Sequence, residues 1–346
     1  EGGETPFVIG ATEKAVELSS VKPFFLYCNP DEILCNVAKR SKRIIENSSI
    51  VKINFEIGPM ALAGSTRMQA STILQLAIGL PLLSFQEEQS IMKEELSLLI
   101  NWYKKFDLIQ IKKLVEWEAG LVKNKRHLFY QSDDNLGITI LTDTTERSPT
   151  FSLFPFENQQ DNSKDLSLSY LFIDGVNTSH EAWELLLNRT PRAVEWDKTK
   201  QETSLDRLYG FDISETIKEN RKIKCELIKC SMNNDIINLN WKENEVNFKM
   251  HNISFLGKQT LLKMILNIHS TLIMGINDRY QNNIMTWVRP SNNKLIDRSI
   301  RYIQMLLNHN GIKKTYNEIT EVCFLLKREI KDNESIVLKV VDYFKK

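Results

Sequence analysis

Residues 58–68 (GPMALAGSTRM) carry the side chains that best suit a binding site. Two glycines and a proline predict a loop, and the apolar run that follows, through Leu83, predicts a helix. A helix N-terminus offers free N–H groups and a partial positive charge; Ser65 and Thr66 add hydroxyl donors, and Arg67 adds a cation. The stretch therefore predicts a phosphate-binding loop. The alternative is an ordinary helix start, with Ser65 as its N-cap and Arg67 solvated.

Composition limits the class of protein and its partners. A length of 346 residues predicts two domains or three small ones, and 42% hydrophobic with 26% charged residues is typical of a globular protein. The net charge of +1 gives no electrostatic case for binding nucleic acid or an anionic membrane. The longest apolar run, Leu76–Leu83, is too short to span a bilayer. We therefore predict neither a nucleic-acid partner nor a membrane partner.

The cysteines and histidines form no pattern that indicates a disulfide framework or a metal site. The five cysteines are odd in number, lie in a long chain and include no C-x-x-C, so we predict reduced thiols in an intracellular protein, cytoplasmic or nuclear. The histidines are scattered and include no H-x-x-x-H pair. We predict no metal and no cofactor.

Helices and strands alternate in the first part of the chain, which predicts a parallel sheet. The predicted order is a glycine turn, a helix, a strand, a helix and a strand, over Gly2–Thr5, Phe7–Ser19, Phe24–Cys28, Asp31–Arg40 and Ile50–Phe55. A strand would normally lead into such a turn, so we expect residues upstream of Glu1. Ligands of parallel sheets lie outside the carboxyl ends of the strands. The turn Gly2–Thr5, Asn29-Pro30 and Gly64–Arg67 all fall there, which favours the phosphate-site hypothesis.

The remainder predicts a helical linker, a second α/β region and a helical C-terminus. Residues 86–123 are helical in pattern, and strands are predicted at His127–Tyr130, at Tyr170–Ile173 and within Ile223–Leu239. An apolar helix is predicted over Gly257–Ile276, and further helices after Leu295 with a loop at 308–311. We predict four regions: the C-terminal part of a first domain, a linker, a second domain and a helical lid, over 1–85, 86–125, 126–276 and 277–346.

One apolar helical pattern occurs twice. Residues Thr72–Leu80 match Thr260–Ile268, 188 positions later. A repeat at about the length of a domain indicates a duplicated fold unit. The alternative is that any two buried helices share such a pattern.

Several segments resemble the SIS-domain family that contains N-acetylmuramic acid 6-phosphate etherases and glucokinase regulatory proteins. The first group is Thr5–Gly10, Cys28-Asn29-Pro30 and Gly58–Thr72 with its Gly-Ser-Thr-Arg-Met block. The second group is Lys263–Asn267, Ser270-Thr271, Asn283-x-Met285 and Ser291-Asn292-x-Lys294-Leu295. The helix motif occurs twice, and Arg289 precedes the second tail; both features are closer to the regulatory proteins.

The resemblance implies an α/β fold of two SIS-type three-layer αβα domains with parallel sheets, plus a C-terminal helical lid. It implies a phosphorylated sugar as ligand, either a fructose phosphate or an amino-sugar phosphate, and a regulator of carbohydrate metabolism that binds rather than catalyses. A sugar kinase would be its protein partner. Carried over to this sequence, the sugar-phosphate site consists of Gly3, Thr5, Gly64, Ser65, Thr66, Arg67 and Lys263.

Departures from the family pattern indicate a partly degenerate site. Met60 stands for a glutamate, Gln69 for a lysine, Ser71 for a glycine, and Glu4 for a serine or arginine. A carboxylate that faces a phosphate is repulsive.

Two other functions remain open. An etherase-type lyase needs an acid/base pair of carboxylates, whose candidates are Glu1, Glu4, Asp133, Asp134 and Asp174. A structural subunit with a decayed site is the other alternative.

Overall fold

The computed structural model describes residues 1–85, 89–161, 165–194, 196–288, 293–331 and 334–346. The chain divides into two compact units, a first unit (Glu1–Leu96) and a second unit (Ser97–Lys346). The predicted family residues Arg289, Ser291 and Asn292 lie outside the described residues, as does the side chain of Lys294.

The first unit alternates helices with two parallel strands. Its elements are α1 (Pro6–Leu18), β1 (Phe24–Tyr27), α2 (Asp31–Val37), α3 (Lys39–Ile45), β2 (Val51–Asn54), α4 (Gln69–Leu83) and α5 (Gln89–Lys105), which runs across the boundary into the second unit. Strands β1 and β2 pair in parallel, with Phe24 opposite Val51 and Tyr27 opposite Asn54. Pro6 suits the first turn of α1, where its missing N–H would have no helical partner.

Side chains of β1 alternate between two apolar clusters, as the period of a strand requires. Phe25 and Tyr27 lie in a cluster with residues of α1, α2 and α3, and the members of that cluster are Ile9, Phe25, Tyr27, Leu34, Ile44 and Ile50. Leu26 packs against the other cluster, which contains Cys28, directly after β1, with Ala70 and Leu74 of α4. The sheet of the first unit is therefore covered by helices on both faces.

The prediction of one helix over Asp31–Arg40 is wrong. Ala38 is extended (φ −141°, ψ 104°), so the chain ends α2 and begins α3 within one residue. The break needs neither glycine nor proline, and it lets both helices bury a side chain, Leu34 in α2 and Ile44 in α3, in the same cluster.

After the end of α5, the second unit continues with a 3₁₀ turn, Leu108–Ile111, and then with α6 (Lys112–Lys123), β3 (His127–Ser132), α7 (Asp134–Phe151), β4 (Ser169–Ile173), α8 (Ser179–Leu187), α9 (Lys200–Thr203), α10 (Leu205–Tyr209) and α11 (Ile217–Asn220). Next come β5 (Cys225–Asn233), β6 (Ile236–Trp241), β7 (Asn244–Lys249), α12 (Phe255–Ile276), β8 (Tyr280–Gln281), β9 (Ile284–Met285), α13 (Asn293–His309), α14 (Tyr316–Lys327) and α15 (Ile336–Lys345).

The described strands β3 to β7 form one mixed sheet in the order β4-β3-β5-β6-β7. Strand β3 is parallel to both β4 and β5, whereas β6 and β7 are antiparallel to their neighbours. Helices α6 and α12 contact each other, and α12 also contacts α7. Helices α13, α14 and α15 contact one another.

Several predicted elements need correction. The helical stretch 86–123 is broken after Lys105, because the Asp107 carboxylate accepts a hydrogen bond from the N–H of Ile109 (2.9 Å) and starts a new turn. The ambiguous segment from Leu136 is a helix, α7, and its N-cap Asp133 accepts from the N–H of Leu136 (2.9 Å). Strands β7, β8 and β9 were not predicted.

The predicted α/β class is confirmed by sheets that contain parallel strands with helices around them. The four predicted regions, the lid and the duplication stay predictions. No helix in the described part of the chain is both long and apolar enough to cross a membrane.

Candidate functional site

The carboxyl ends of β1 and β2 bring three predicted segments of the first unit together. A Cβ atom added to Gly2 would lie 3.1 Å from Nδ2 of Asn29 and 3.3 Å from Cγ2 of Thr66. The Asn54 amide, at the end of β2, donates to the carbonyl of Asn29 (3.1 Å). The glycine turn, the Asn29-Pro30 loop and Thr66 are therefore neighbours, as their positions after the strands predict.

The opening turn (Gly2–Thr5) is held by α3. Gly3 is buried at φ +90°, a conformation that glycine adopts without strain, and a Cβ there would lie 2.7 Å from Cδ1 of Leu34. Its carbonyl accepts from the buried Ser41 hydroxyl (2.8 Å), and the carbonyl of Glu4 accepts from Nε of Arg40 (2.7 Å). The turn that would face a ligand thus has a fixed backbone. Thr5 follows it, exposed, at the start of α1.

The predicted phosphate loop (residues 58–68, called the phosphate loop below) buries two of its predicted binding residues. Ser65 is 6% exposed and Arg67 is 5% exposed, whereas Thr66 is half-buried and Gly64 (φ +74°) is exposed. The N–H of Ser65 donates to the carbonyl of Leu62 (3.0 Å), which closes a tight turn. Prediction of Ser65 as an ordinary N-cap is wrong, because α4 begins only at Gln69 and has Met68 as its N-cap.

The residues that depart from the family pattern brace this loop. Oε1 of Gln69 accepts from the N–H of Ala61 (2.6 Å), and its Nε2 donates to the carbonyl of Pro59 (3.1 Å). The Ser71 hydroxyl donates to the carbonyl of Arg67 (2.5 Å). Met60 packs against the cluster that contains Ala70. These side chains therefore hold the loop in place through contacts within the chain, without a ligand.

A carboxylate contacts the predicted binding hydroxyl. Oγ1 of Thr66 donates to Oε2 of Glu1 at 2.6 Å. The carbonyl of Glu1 accepts from the N–H of Cys28 (3.0 Å), so its backbone is fixed at the end of β1. No sequence pattern signals the contact with Thr66, since 65 positions separate the two residues. An anion bound at Thr66 must therefore either displace this carboxylate or bind in spite of its repulsion.

Lys263 belongs to the second unit, and its assignment to the same site as the phosphate loop stays a prediction. It lies in α12, is 8% exposed, and its Nζ donates to Oδ1 of Asn267 (3.1 Å). Nδ2 of Asn267 donates to Oδ1 of Asp143 in α7 (3.0 Å), and the Ser270 hydroxyl donates to the same oxygen (3.0 Å). Lys263 therefore adjoins a polar network inside the second unit.

The centre of this buried network is Arg147. Its Nη1 donates to Oε1 of Glu118 (2.6 Å), its Nε to Oδ2 of Asp143 (3.0 Å), and its Nη2 to the Tyr130 hydroxyl (3.0 Å). Burial raises the pKa of Tyr130 well above its ordinary value. Burial also lowers the pKa of His269, whose Nε2 lies 3.3 Å from Oε2 of Glu118. Sequence reasoning missed this cluster, because its members come from distant helices and strands.

The candidate acids of the second unit have structural partners. The carboxylate of Asp133 accepts from the N–H groups of Leu136 (2.9 Å) and Met232 (2.5 Å), and burial raises its pKa. The carboxylate of Asp174 accepts from Nε2 of Gln131 (2.5 Å). Among the described residues no group of three or more His, Cys, Asp or Glu is placed to hold a metal ion. The five cysteines are free thiols.

Comparison with known proteins finds similarity over one segment. No protein-family model matches the chain. An N-acetylmuramic acid 6-phosphate etherase 2 of Vibrio cholerae serotype O1 (strain ATCC 39315 / El Tor Inaba N16961) is 35% identical over 78 residues, which are 22% of this chain and 22% of that protein. N-acetylmuramic acid 6-phosphate etherases of Vibrio atlanticus (strain LGP32) and Vibrio campbellii (strain ATCC BAA-1116) are 35% identical over the same number of residues, 22% of this chain and 22% and 21% of those proteins.

The match spans about a fifth of the length of these relatives. It supports the etherase part of the predicted resemblance over that segment. The resemblance to glucokinase regulatory proteins stays a prediction.

Proposed function

We propose that the phosphate loop and the opening turn bind the phosphate group of a phosphorylated sugar, and that the protein is a non-catalytic regulator of carbohydrate metabolism. The observation that carries the proposal is the close approach of the Gly2 backbone to Asn29 and Thr66 at the carboxyl ends of two parallel strands. Hydroxyl and guanidinium groups at such an edge suit a phosphate. The etherase relatives, named for a sugar 6-phosphate, support a ligand of this class.

In this proposal Ser65, Thr66 and Arg67 hold the phosphate, and Gly3, Thr5 and Gly64 shape the backbone around it. Lys263 would add a second cation to the ligand. The ligand is a fructose phosphate or an amino-sugar phosphate, and a sugar kinase is the proposed protein partner. The affinity is lower than a family member with the full motif would have, because Met60, Gln69 and Ser71 brace the loop without supplying the family's glutamate or lysine.

Calorimetric unfolding with and without fructose 6-phosphate tests ligand binding. A ligand that binds only the folded protein at about 100 times its Kd stabilises it by about 2.7 kcal/mol. Fructose without phosphate is the control ligand. Thr66→Val should abolish the shift, whereas Thr12→Val, which removes a hydroxyl of α1 that bonds to the carbonyl of Val8 (2.8 Å), should preserve it. Equal shifts with fructose and with its phosphate would reject the phosphate site.

The assignment of Lys263 has a separate test. All six tryptophans lie after residue 96, so tryptophan fluorescence reports the second unit alone. A ligand that Lys263 contacts should raise the Tm of the unfolding transition seen by fluorescence, as well as the Tm seen by calorimetry of the whole chain. Lys263→Met should remove the shift of the fluorescence transition. Lys258→Met is the control and should keep that shift, because the ammonium of Lys258 pairs with Asp235 (2.6 Å). A fluorescence transition that the ligand leaves unchanged would exclude Lys263 from the site.

An etherase-type lyase is the second candidate, because the relatives that match 78 residues of this chain are named etherases. It needs a carboxylate free for proton transfer beside the ligand. Turnover of N-acetylmuramic acid 6-phosphate by the purified chain would establish this candidate and reject the non-catalytic regulator. Failure of both binding and turnover would leave a structural subunit with a decayed site as the correct function.

A further inference from the structure

The Thr66 hydroxyl, which the proposed function assigns to the phosphate, already donates to a carboxylate of the same chain. Oε2 of Glu1 accepts its hydrogen bond at 2.6 Å, within the range of charge-assisted bonds between a hydroxyl and a carboxylate. The hydroxyl of threonine has a single proton to donate. A ligand phosphate can therefore accept from Thr66 only after Glu1 has moved away.

The backbone that carries the Glu1 side chain is fixed by two contacts. Its carbonyl accepts from the N–H of Cys28 (3.0 Å), at the end of β1. The next residue, Gly2, lies so close to Asn29 and Thr66 that an added Cβ would be 3.1 Å and 3.3 Å from their atoms. From this fixed backbone the Glu1 carboxylate reaches the Thr66 hydroxyl of the phosphate loop.

From this geometry we propose that Glu1 is a specificity-determining residue of the phosphate loop. Its carboxylate occupies the Thr66 hydroxyl and repels a doubly charged phosphate. The proposal rests on the proposed function of this loop. It predicts that the loop of the natural sequence binds sugar phosphates weakly and that removal of the Glu1 carboxylate strengthens that binding.

Affinity measurements with fructose 6-phosphate test the proposal on the full chain. Glu1→Ala removes both the charge and the competing acceptor, and Glu1→Gln removes the charge alone. We expect Kd to fall about tenfold in Glu1→Ala and by a smaller factor in Glu1→Gln, since one like charge nearby has an effect of this order. Glu46→Ala is the control, because Glu46 is exposed at the end of α3 and pairs with Lys42 (3.6 Å).

A double-mutant cycle tests the contact without a ligand. Glu1→Ala, Thr66→Val and the double variant are compared by chemical unfolding, followed by circular dichroism. A hydrogen bond between the two side chains should make the effects on the unfolding equilibrium constant non-additive by about fivefold. Additive effects would show that the contact is absent in solution and would overturn the proposal.

The binding outcomes separate this inference from the proposed function. Tighter binding by both Glu1 variants but not by Glu46→Ala supports the inference. Binding by the natural sequence that the Glu1 substitutions leave unchanged or weaken overturns the inference and preserves the function. Binding by the Glu1 variants alone supports the inference and shows that the natural loop is closed to phosphate. No binding by any variant rejects both.

Discussion

Replacement of Arg147 by methionine should destabilise the second unit strongly. The Arg147 side chain is 2% exposed, and its partners Glu118 and Asp143 are each 1% exposed, at 2.6 Å and 2.9 Å. Methionine keeps most of the volume but leaves two carboxylates without their cation. Removal of one partner of a buried ion pair costs about 3–5 kcal/mol. With two carboxylates affected, we expect about 4 kcal/mol.

This loss corresponds to a decrease in Tm of about 8–16 °C for a unit of this size. The assay is unfolding followed by tryptophan fluorescence, since every tryptophan lies in the second unit. Arg126→Met is the matched control: Arg126 pairs with Glu226, but its side chain is 49% exposed, and exposed pairs contribute about 0–1 kcal/mol. If the free energies of unfolding of the two variants differed by less than about 1 kcal/mol, the buried network would not be what stabilises the second unit.

Three further predictions concern the turn, the loop and pH. Gly3→Ala should destabilise the first unit by about 2 kcal/mol, measured by calorimetry, because Gly3 has a positive φ and its added Cβ would lie 2.7 Å from Cδ1 of Leu34. Gly10→Ala is the control and should cost nothing, because no atom lies within 4 Å of a Cβ added at that position of α1. Gln69→Ala should speed amide exchange at Ala61 about tenfold, and Gln75→Ala, on the same helix, should not; equal rates would contradict the brace. The stability of the second unit should fall as the pH drops below 6.5, because burial lowers the pKa of His269 from that value and the folded protein disfavours its charged form. The charges of Glu118 and Asp143 raise the pKa of His269 and so oppose the loss of stability, whereas that of Arg147 lowers the pKa and adds to it. If a His269→Gln variant kept the same pH dependence of stability, measured by fluorescence, His269 would be excluded as its source.

Sequence patterns predicted those elements whose local hydrophobic pattern agrees with their packing in the fold. Apolar runs bounded by turns marked β1, β2, β3 and β4, and the rule for strand ends correctly predicted that Gly2, Asn29 and Thr66 lie together. Strand β7 was missed because its apolar-polar alternation is short: only Val246 and Phe248 are buried, with Asn247 between them and charged Glu245 and Lys249 on either side. Its pairing with β6 supplies stability that the local sequence does not show.

The parts of the site that were not predictable depend on contacts between distant residues. Nothing in the local sequence signals that Glu1 meets Thr66 or that Ser41 reaches Gly3. The break at Ala38 was hidden for a similar reason, because packing of two helices on one cluster determines it rather than a glycine or proline. An arginine in a helix pattern is expected at the surface, so Arg147 gave no sign that it lies at the centre of a buried network.

The central place of β3 in its sheet has a consequence for synthesis on the ribosome. β3 ends at Ser132, but its neighbour β5 begins only at Cys225, and the cap residue Asp133 receives a bond from Met232, 99 positions later. At about 5–20 residues per second, translation leaves that edge of β3 unpaired for about 5–20 s. During this interval the nascent chain presents an apolar strand, Leu128–Tyr130, to chaperones or to other nascent chains.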